Sequence, residues 1–176
     1  AVPGVTNSSG AGASFGRSGV ALVTSAGFAG SYAGTSSSFS CSVLAGEGTA
    51  MERDYEFSSA RHANDLKSAA EIGRMAGEKA VRRLQPRKAG AQSVPIVYDP
   101  RVSGGLVGHF ASAISGAAIA RGTSFLKKSM GQRVFANGIS VVDDPHMKRG
   151  LRSKPFDGEG VKNRRTQLIE DGTLTT

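Results

Sequence analysis

The stretch SFSCSVLAGEGTAMERDYEF, residues 38–57, decides the fold class of this chain. Phe39, Cys41 and Val43 alternate with serines in its first half. In its second half, between positions 51 and 57, apolar and basic residues alternate with acidic ones. A period of two that is interrupted by glycine is typical of antiparallel strands with one buried face. The stretch therefore predicts part of an antiparallel meander.

The sequence before this stretch divides near residue 18. Residues 1–17 are small, rich in Gly and Ser and aperiodic, which is typical of a flexible terminus. The run GVALVTS (19–25) is short and apolar, and Phe28 and Tyr32 share one face of an extended chain. We therefore expect a flexible terminus followed by an antiparallel strand region over 18–64.

The hydrophobic period changes to that of a helix after residue 65. Apolar residues recur at helical spacing from Leu66 to Leu84, and Ser68 with Glu71 fits the S-x-x-E capping box. Pro86 cannot continue a helix and marks its end. The pattern predicts an amphipathic helix that begins next to Ser68.

A second helix is predicted after a short strand at VPIVYDP, residues 94–100. Val102, Leu106 and Phe110 form its apolar face, and Gly122 is its expected C-terminal stop. The other side of this helix is rich in glycine, and each interior glycine costs about 1 kcal/mol relative to alanine. We therefore expect these glycines to serve close packing against neighbouring elements.

The remaining residues, 123–176, predict the strand-rich start of a further domain. Strand signals around 134–142 are joined by a turn that contains Asn137-Gly138, and residues 165–170 lead to a turn at Asp171-Gly172. Residues 65–122 would hold the two helices and the intervening strand. The predicted fold class is α+β, with antiparallel sheet segments and two packed helices.

The composition narrows the classes of partner. The net charge of +8 allows nucleic acid, an anionic membrane surface or an acidic partner. The charges are spread over 74–88 and 121–165 without a dense block or interleaved aromatic residues, so nucleic acid is disfavoured. The sequence contains no run of 18 apolar residues, so it predicts no membrane-spanning helix. Cys41 is the only cysteine, which indicates a reducing compartment such as the cytoplasm.

The side chains that could carry catalysis are isolated along the chain. Cys41, His62, His109 and His146 include no pair at helical i,i+4 spacing and no C-x-x-C pair. No nucleophile elbow or phosphate-binding loop occurs. Each lone histidine is therefore more typical of a structural or surface residue than of a metal ligand.

Three motifs resemble those of the TldD/PmbA family, also called the modulator of DNA gyrase family. They are DPRVSGGLVGH (99–109), RGTSFLKK (121–128) and KPFDGEGV (154–161), in the family's order. The pattern is most similar to the PmbA, or TldE, branch. The resemblance implies the central portion of a longer, multi-domain metalloprotease-family protein that forms a cytoplasmic heterodimer and degrades peptides.

The resemblance also identifies what is missing. The TldD-type subunit binds zinc through a His-Glu-x-x-x-His motif on a helix and a later cysteine. Matched to this motif, Gly104 replaces the first His, Gly105 replaces the Glu, and only His109 remains. An imidazole ligand and the carboxylate that takes the proton from zinc-bound water are absent. The resemblance thus implies no catalytic residue, metal ligand or cofactor in this chain, with zinc expected in a TldD-like partner.

The function implied is that of a pseudoenzyme subunit, inactive without a TldD-like subunit and able to bind extended peptide substrates. Edge strands within 27–57 would suit peptide capture by β-augmentation. Two alternatives remain open. The chain could be a self-sufficient metallopeptidase with unconventional ligands such as His109, His146 and Asp144, or a basic module that interacts with DNA or gyrase.

Overall fold

The computed structural model describes residues 2–176. The chain forms two compact units, of which the first comprises residues up to 89 together with 145–164. The second comprises residues 90–144 and 165–176. The sequence predicted regions that follow one another along the chain, because no pattern in residues 145–164 indicates that this segment packs with the first unit.

The first unit contains a three-stranded antiparallel sheet in the order β1-β2-β3. Its strands are β1 (Val5–Val23), β2 (Ala29–Ala45) and β3 (Glu52–Ala60). The prediction of a flexible terminus over 1–17 is wrong, since β1 pairs with β2 along its whole length. Small residues carry little strand propensity, and the order of this segment comes from the ladder hydrogen bonds that β2 provides.

Helix α1 (Ala69–Arg82) packs on this sheet and confirms the predicted start. The Ser68 hydroxyl accepts a hydrogen bond from the backbone N–H of Glu71 at 3.1 Å. A buried cluster joins the helix to the sheet: Val43, Ala45, Ala76 and Ala80. Small residues on the helix bring its axis close to β2, which the stripe of alanines in the sequence indicates.

The buried face of β3 is its acidic face. Asp54 and Glu56 are 5% and 6% exposed, whereas Tyr55 and Phe57 are almost half exposed. Lys79 of α1 forms an ion pair with Glu56, and Arg83 lies 3.4 Å from an Asp54 carboxylate oxygen. The alternation in the sequence correctly indicated a strand with two unlike faces. Which face of β3 is covered depends on Lys79 in α1 and Arg83 just after it, both more than 20 positions further along the chain.

The second unit combines α2 (Pro100–Ala113) and α3 (Gly116–Ala120) with a small antiparallel sheet. Its strands are β4 (Val141–Asp143), β5 (Thr166–Glu170) and β6 (Thr173–Leu174), in that order across the sheet. Phe110, Ile169 and Leu174 form its buried cluster. The turn predicted at Asp171-Gly172 is confirmed, and both residues adopt a positive φ, 43° and 81°.

Three local predictions in the second unit are wrong. Residues 134–140 form no strand, and β4 begins only at Val141. Residues 94–98 form no strand, and their apolar side chains are exposed because no strand pairs with them in the described chain. The single helix predicted to reach Gly122 divides into α2 and α3. Ser115 accounts for the division, because its hydroxyl accepts a hydrogen bond from the N–H of Ala118 and starts a new helix. The α+β class with antiparallel sheets is confirmed.

Candidate functional site

Helix α2 begins inside the motif DPRVSGGLVGH for local reasons. The Asp99 carboxylate accepts a hydrogen bond from the backbone N–H of Arg101 at 2.9 Å. Pro100 occupies the first turn, where its fixed φ favours a helix and its missing N–H costs nothing. The motif therefore places Gly104, Gly105 and His109 on a regular helix.

The two motif glycines lie on open surface. Both are exposed, and a Cβ atom built at Gly104 or Gly105 meets no heavy atom within 4 Å. The same holds for Gly108 of α2 and Gly116 of α3. The expectation that these glycines serve close packing is therefore wrong for the described residues, 2–176.

His109 is exposed at the C-terminal half of α2. Within residues 2–176 its imidazole forms no hydrogen bond or ion pair. Positions 104 and 109 are five residues apart, so a regular α-helix directs them about 140° away from each other. Two imidazoles at these positions would not converge on one ion while α2 keeps its regular geometry.

The predicted apolar face of α2 is covered at one end only. Phe110 is buried and lies 5.2 Å from Phe135, ring centroid to centroid, in an edge-to-face contact. Val102 and Leu106, in the first two turns, are 53% and 50% exposed. The N-terminal half of the motif helix is therefore open on its apolar side as well as on its glycine side.

The structure does not assemble an alternative metal site from the available ligands. Among residues 2–176 no three His, Cys, Asp or Glu side chains are grouped so that they could hold a metal ion. The set His109, His146 and Asp144 is thus not brought together. Asp144 has a carboxylate oxygen 3.9 Å from Nε of Arg165.

The motif KPFDGEGV forms a turn that its aspartate organises. One Asp157 carboxylate oxygen accepts hydrogen bonds of 2.9 Å from the backbone N–H groups of Glu159 and Val161. These two bonds, first that from Glu159, favour the ionised form and lower the pKa of Asp157. Phe156, just before it, packs edge to face against Phe28 and Tyr32. The carboxylate serves the loop's geometry.

No sequence pattern groups Arg17, Arg61 and Arg149, yet all three line one cleft of about 710 Å³ in the first unit. The cleft lies over the end of the β1-β2 hairpin and against the segment that follows Pro145. The only available signal was the basic composition of 148–152, which favoured an exposed loop.

None of the helices in residues 2–176 has the length and the apolar composition that spanning a membrane requires.

Comparisons with known proteins cover nearly the whole chain. Residues 2–84 match the PmbA/TldA metallopeptidase central domain, and residues 91–176 match the C-terminal domain of the same family. A metalloprotease PmbA homolog of Haemophilus influenzae is 38% identical over 146 residues, which are 83% of this chain and 32% of that protein. Metalloprotease PmbA of Escherichia coli O157:H7 is 36% identical over 144 residues, 82% of this chain and 32% of that protein.

Solved structures agree with these matches. A crystal structure of a candidate modulator of DNA gyrase from Bacteroides thetaiotaomicron superposes with a TM-score of 0.87 at 29% identity, covering 94% of this chain and 38% of that one. TldE from Thermococcus kodakarensis superposes with a TM-score of 0.67 at 20% identity, covering 94% and 37%, and shows a shared fold.

Fold and motifs together define a metalloprotease-like protein assembled from a central and a C-terminal domain segment. The chain belongs to the PmbA/TldD metallopeptidase family, as its motifs imply. It spans about a third of the length of the curated relatives that it matches.

Proposed function

We propose that this chain is part of a PmbA/TldE-like, non-catalytic subunit of a cytoplasmic zinc metalloprotease. In this proposal a TldD-like subunit supplies the zinc and cuts the peptide. The present chain completes the complex and helps to hold extended peptide substrates.

The observation that carries the proposal is the state of helix α2. The helix is well capped, and Gly104 and Gly105 supply no side chain at two of its motif positions. Without an imidazole and a carboxylate, His109 alone cannot hold zinc and activate its water. Peptide hydrolysis by this family would then depend on the other subunit.

The β-augmentation hypothesis needs one correction. Strand β2, which occupies much of 27–57, is the central strand of its sheet and offers no free edge over residues 37–45. The outer strands are β1 and β3. Within the proposal, a peptide that pairs with this sheet would use β1, whose 19 residues are exposed along most of their length.

The test compares the chain alone with the chain plus a TldD-like subunit that retains its His-Glu-x-x-x-His motif. We expect co-purification of the two, zinc in the TldD-like subunit, and cleavage of an unstructured quenched-fluorescence peptide by the pair only. Stoichiometric zinc and peptide cleavage by the purified chain alone would contradict the proposal.

A matched pair of substitutions locates the activity. His109→Ala in this chain is expected to leave hydrolysis by the pair unchanged, because His109 binds no metal in this proposal. Replacing the first motif histidine of the TldD-like subunit by alanine is expected to abolish hydrolysis. Loss of activity with His109→Ala, in a complex that still assembles, would instead favour a self-sufficient site that uses His109.

A further inference from the structure

The arginine-lined cleft of the first unit has the chemistry of an anion site. Arg17, Arg61 and Arg149 line it, and no carboxylate does so among the described residues. Arg149 is paired with Asp65, and strand alternation directs the Arg17 side chain away from Val20 and Tyr32. Arg61, which lies against the Cβ position of Gly34, is therefore the positive group that faces the cleft and attracts an anionic ligand. The volume of about 710 Å³ falls within the range of small-molecule sites.

Arg61 is held in place by backbone carbonyl groups. Its guanidinium donates hydrogen bonds to the carbonyl oxygens of Thr35, at 3.3 Å, Gly150, at 3.2 Å, and Leu151. The Thr35 hydroxyl in turn donates to the Arg61 carbonyl oxygen at 2.6 Å. A guanidinium has five N–H groups, so two remain after these three bonds. The group is therefore oriented in advance and still able to donate to a ligand.

The backbone makes room for this guanidinium at Gly34. A Cβ atom at Gly34 would lie 2.7 Å from the Arg61 Nη1 atom and would force it to move. A glycine is therefore favoured at this position of β2, because the fixed Arg61 guanidinium lies so close to the backbone.

The other two arginines differ in how they are used. Arg149 adopts a positive φ of 60°, uncommon for a non-glycine residue, and its guanidinium contacts Asp65 at 2.7 Å. Arg17 lies opposite Thr35 in the β1-β2 ladder and, within residues 2–176, has no ion pair or side-chain hydrogen bond. Because side chains alternate along a strand, Arg17 and Val20 point to opposite faces of the sheet, so the Arg17 guanidinium lies away from the apolar side of the cleft.

Apolar side chains complete the cleft. Val20 and Tyr32, which face each other across the β1-β2 ladder, and Met147 line it beside Arg61. A bare inorganic anion would use the guanidinium group and leave this apolar lining unused. We infer that the cleft binds a carboxylate attached to an apolar body, such as the C-terminal residue of a peptide.

Binding of such an acid by this cleft requires neither zinc nor a TldD-like subunit. A negative result would therefore leave the proposed function standing, and a positive result would not establish it. The peptide identity of the ligand in the cell rests on the proposed function.

The experiment titrates the whole chain calorimetrically at low ionic strength with N-acetyl-phenylalanyl-leucine. We expect the free acid to bind about tenfold or more tightly than its C-terminal amide, since a charged hydrogen-bond acceptor is lost in the amide. Arg61→Ala is expected to weaken binding of the acid about tenfold. Arg121→Ala removes the same charge at the end of α3 and is expected to change it less than about twofold.

A second variant tests the preorganised arginine. Gly34→Ala keeps every charge but displaces the Arg61 guanidinium, and we expect binding about tenfold weaker in a chain whose circular dichroism is unchanged. Equal affinity for acid and amide, no binding of either, or equal losses in Arg61→Ala and Arg121→Ala would overturn the inference. Inorganic phosphate that binds as tightly as the acid would overturn the role given to the apolar lining.

Discussion

Helices α1 and α2 have the same length, 14 residues, and both begin at a capping side chain. They differ in what covers them. Helix α1 is buried along its length, at Ile72, Ala76, Gly77 and Ala80, whereas α2 is buried only at Phe110 and Ala113. Local sequence thus forms both helices, but tertiary contacts secure only α1 along its whole face.

Glycine shows the same difference. A Cβ atom at Gly77 of α1 would lie 2.8 Å from the Val2 side chain, so this glycine is required by a close contact. A Cβ atom at Gly105 of α2 meets nothing within 4 Å. The glycines of the motif helix therefore do not serve packing within residues 2–176.

The largest expected effect separates the two apolar faces. Ile72→Ala removes a fully buried side chain, and we expect a loss of about 3 kcal/mol in the free energy of unfolding. Leu106→Ala removes a side chain that is half exposed, and we expect less than about 1 kcal/mol. Urea denaturation followed by circular dichroism measures both. Equal losses would mean that α2 is covered in solution, which analytical ultracentrifugation would then detect as association.

The next largest effect is expected for the buried ion pair between Lys79 of α1 and Glu56 of β3. Burial by itself raises the pKa of Glu56, but the hydrogen bonds from Lys79 and the Phe57 N–H and the charge of Lys79 outweigh it, and the pKa is lowered. Because the folded pKa is below the unfolded one, this stabilisation is complete above the usual Glu value of about 4.3. It is lost as the pH falls through the lowered folded value.

Glu56→Gln is therefore expected to cost about 2 kcal/mol at pH 7, and to flatten the acid limb of the stability curve. Glu78→Gln is the matched control, because its ion pair with Arg74 is exposed on the outer side of α1. We expect this control to cost about 0.4 kcal/mol. Chemical denaturation at pH 7 and at pH 3 checks both variants, and equal costs would contradict a special role for the buried pair.

Two glycine substitutions test the packing difference directly. Gly77→Ala is expected to destabilise by about 1–2 kcal/mol, because the methyl group must displace Val2 or the helix. Gly105→Ala is expected to stabilise by about 0.5–1 kcal/mol, since alanine favours a helix and has open space here. Thermal unfolding gives the sign of each change. A destabilising Gly105→Ala would show that the open side of α2 is occupied.

The smallest effect is expected at His109. His109→Ala should change the free energy of unfolding by less than about 0.5 kcal/mol, because the side chain is exposed and has no partner in residues 2–176. The same denaturation measurement applies. A loss well above this value would indicate a structural contact, as the sequence suggested for a lone histidine.

Local patterns predicted those parts of the fold whose causes lie within a few residues. The capping box at Ser68 and the turn at Asp171-Gly172 follow from hydrogen-bond geometry and from φ preferences that neighbouring residues fix. The strand at Val5–Val23 could not be predicted in this way, because its glycines and serines become ordered only through pairing with β2. Which face of β3 is buried could not be predicted either, since Lys79 and Arg83, which supply the opposite charge, lie outside this strand.

The same distinction between local and tertiary causes applies to the candidate site. The sequence by itself determined the family and the glycines at positions 104 and 105, because these are facts of residue identity. Only the tertiary structure decided that those glycines face open space, and that Arg17 and Arg61 line one cleft. Residues 44 positions apart along the chain come together there through strand pairing and carbonyl contacts, which no local pattern records.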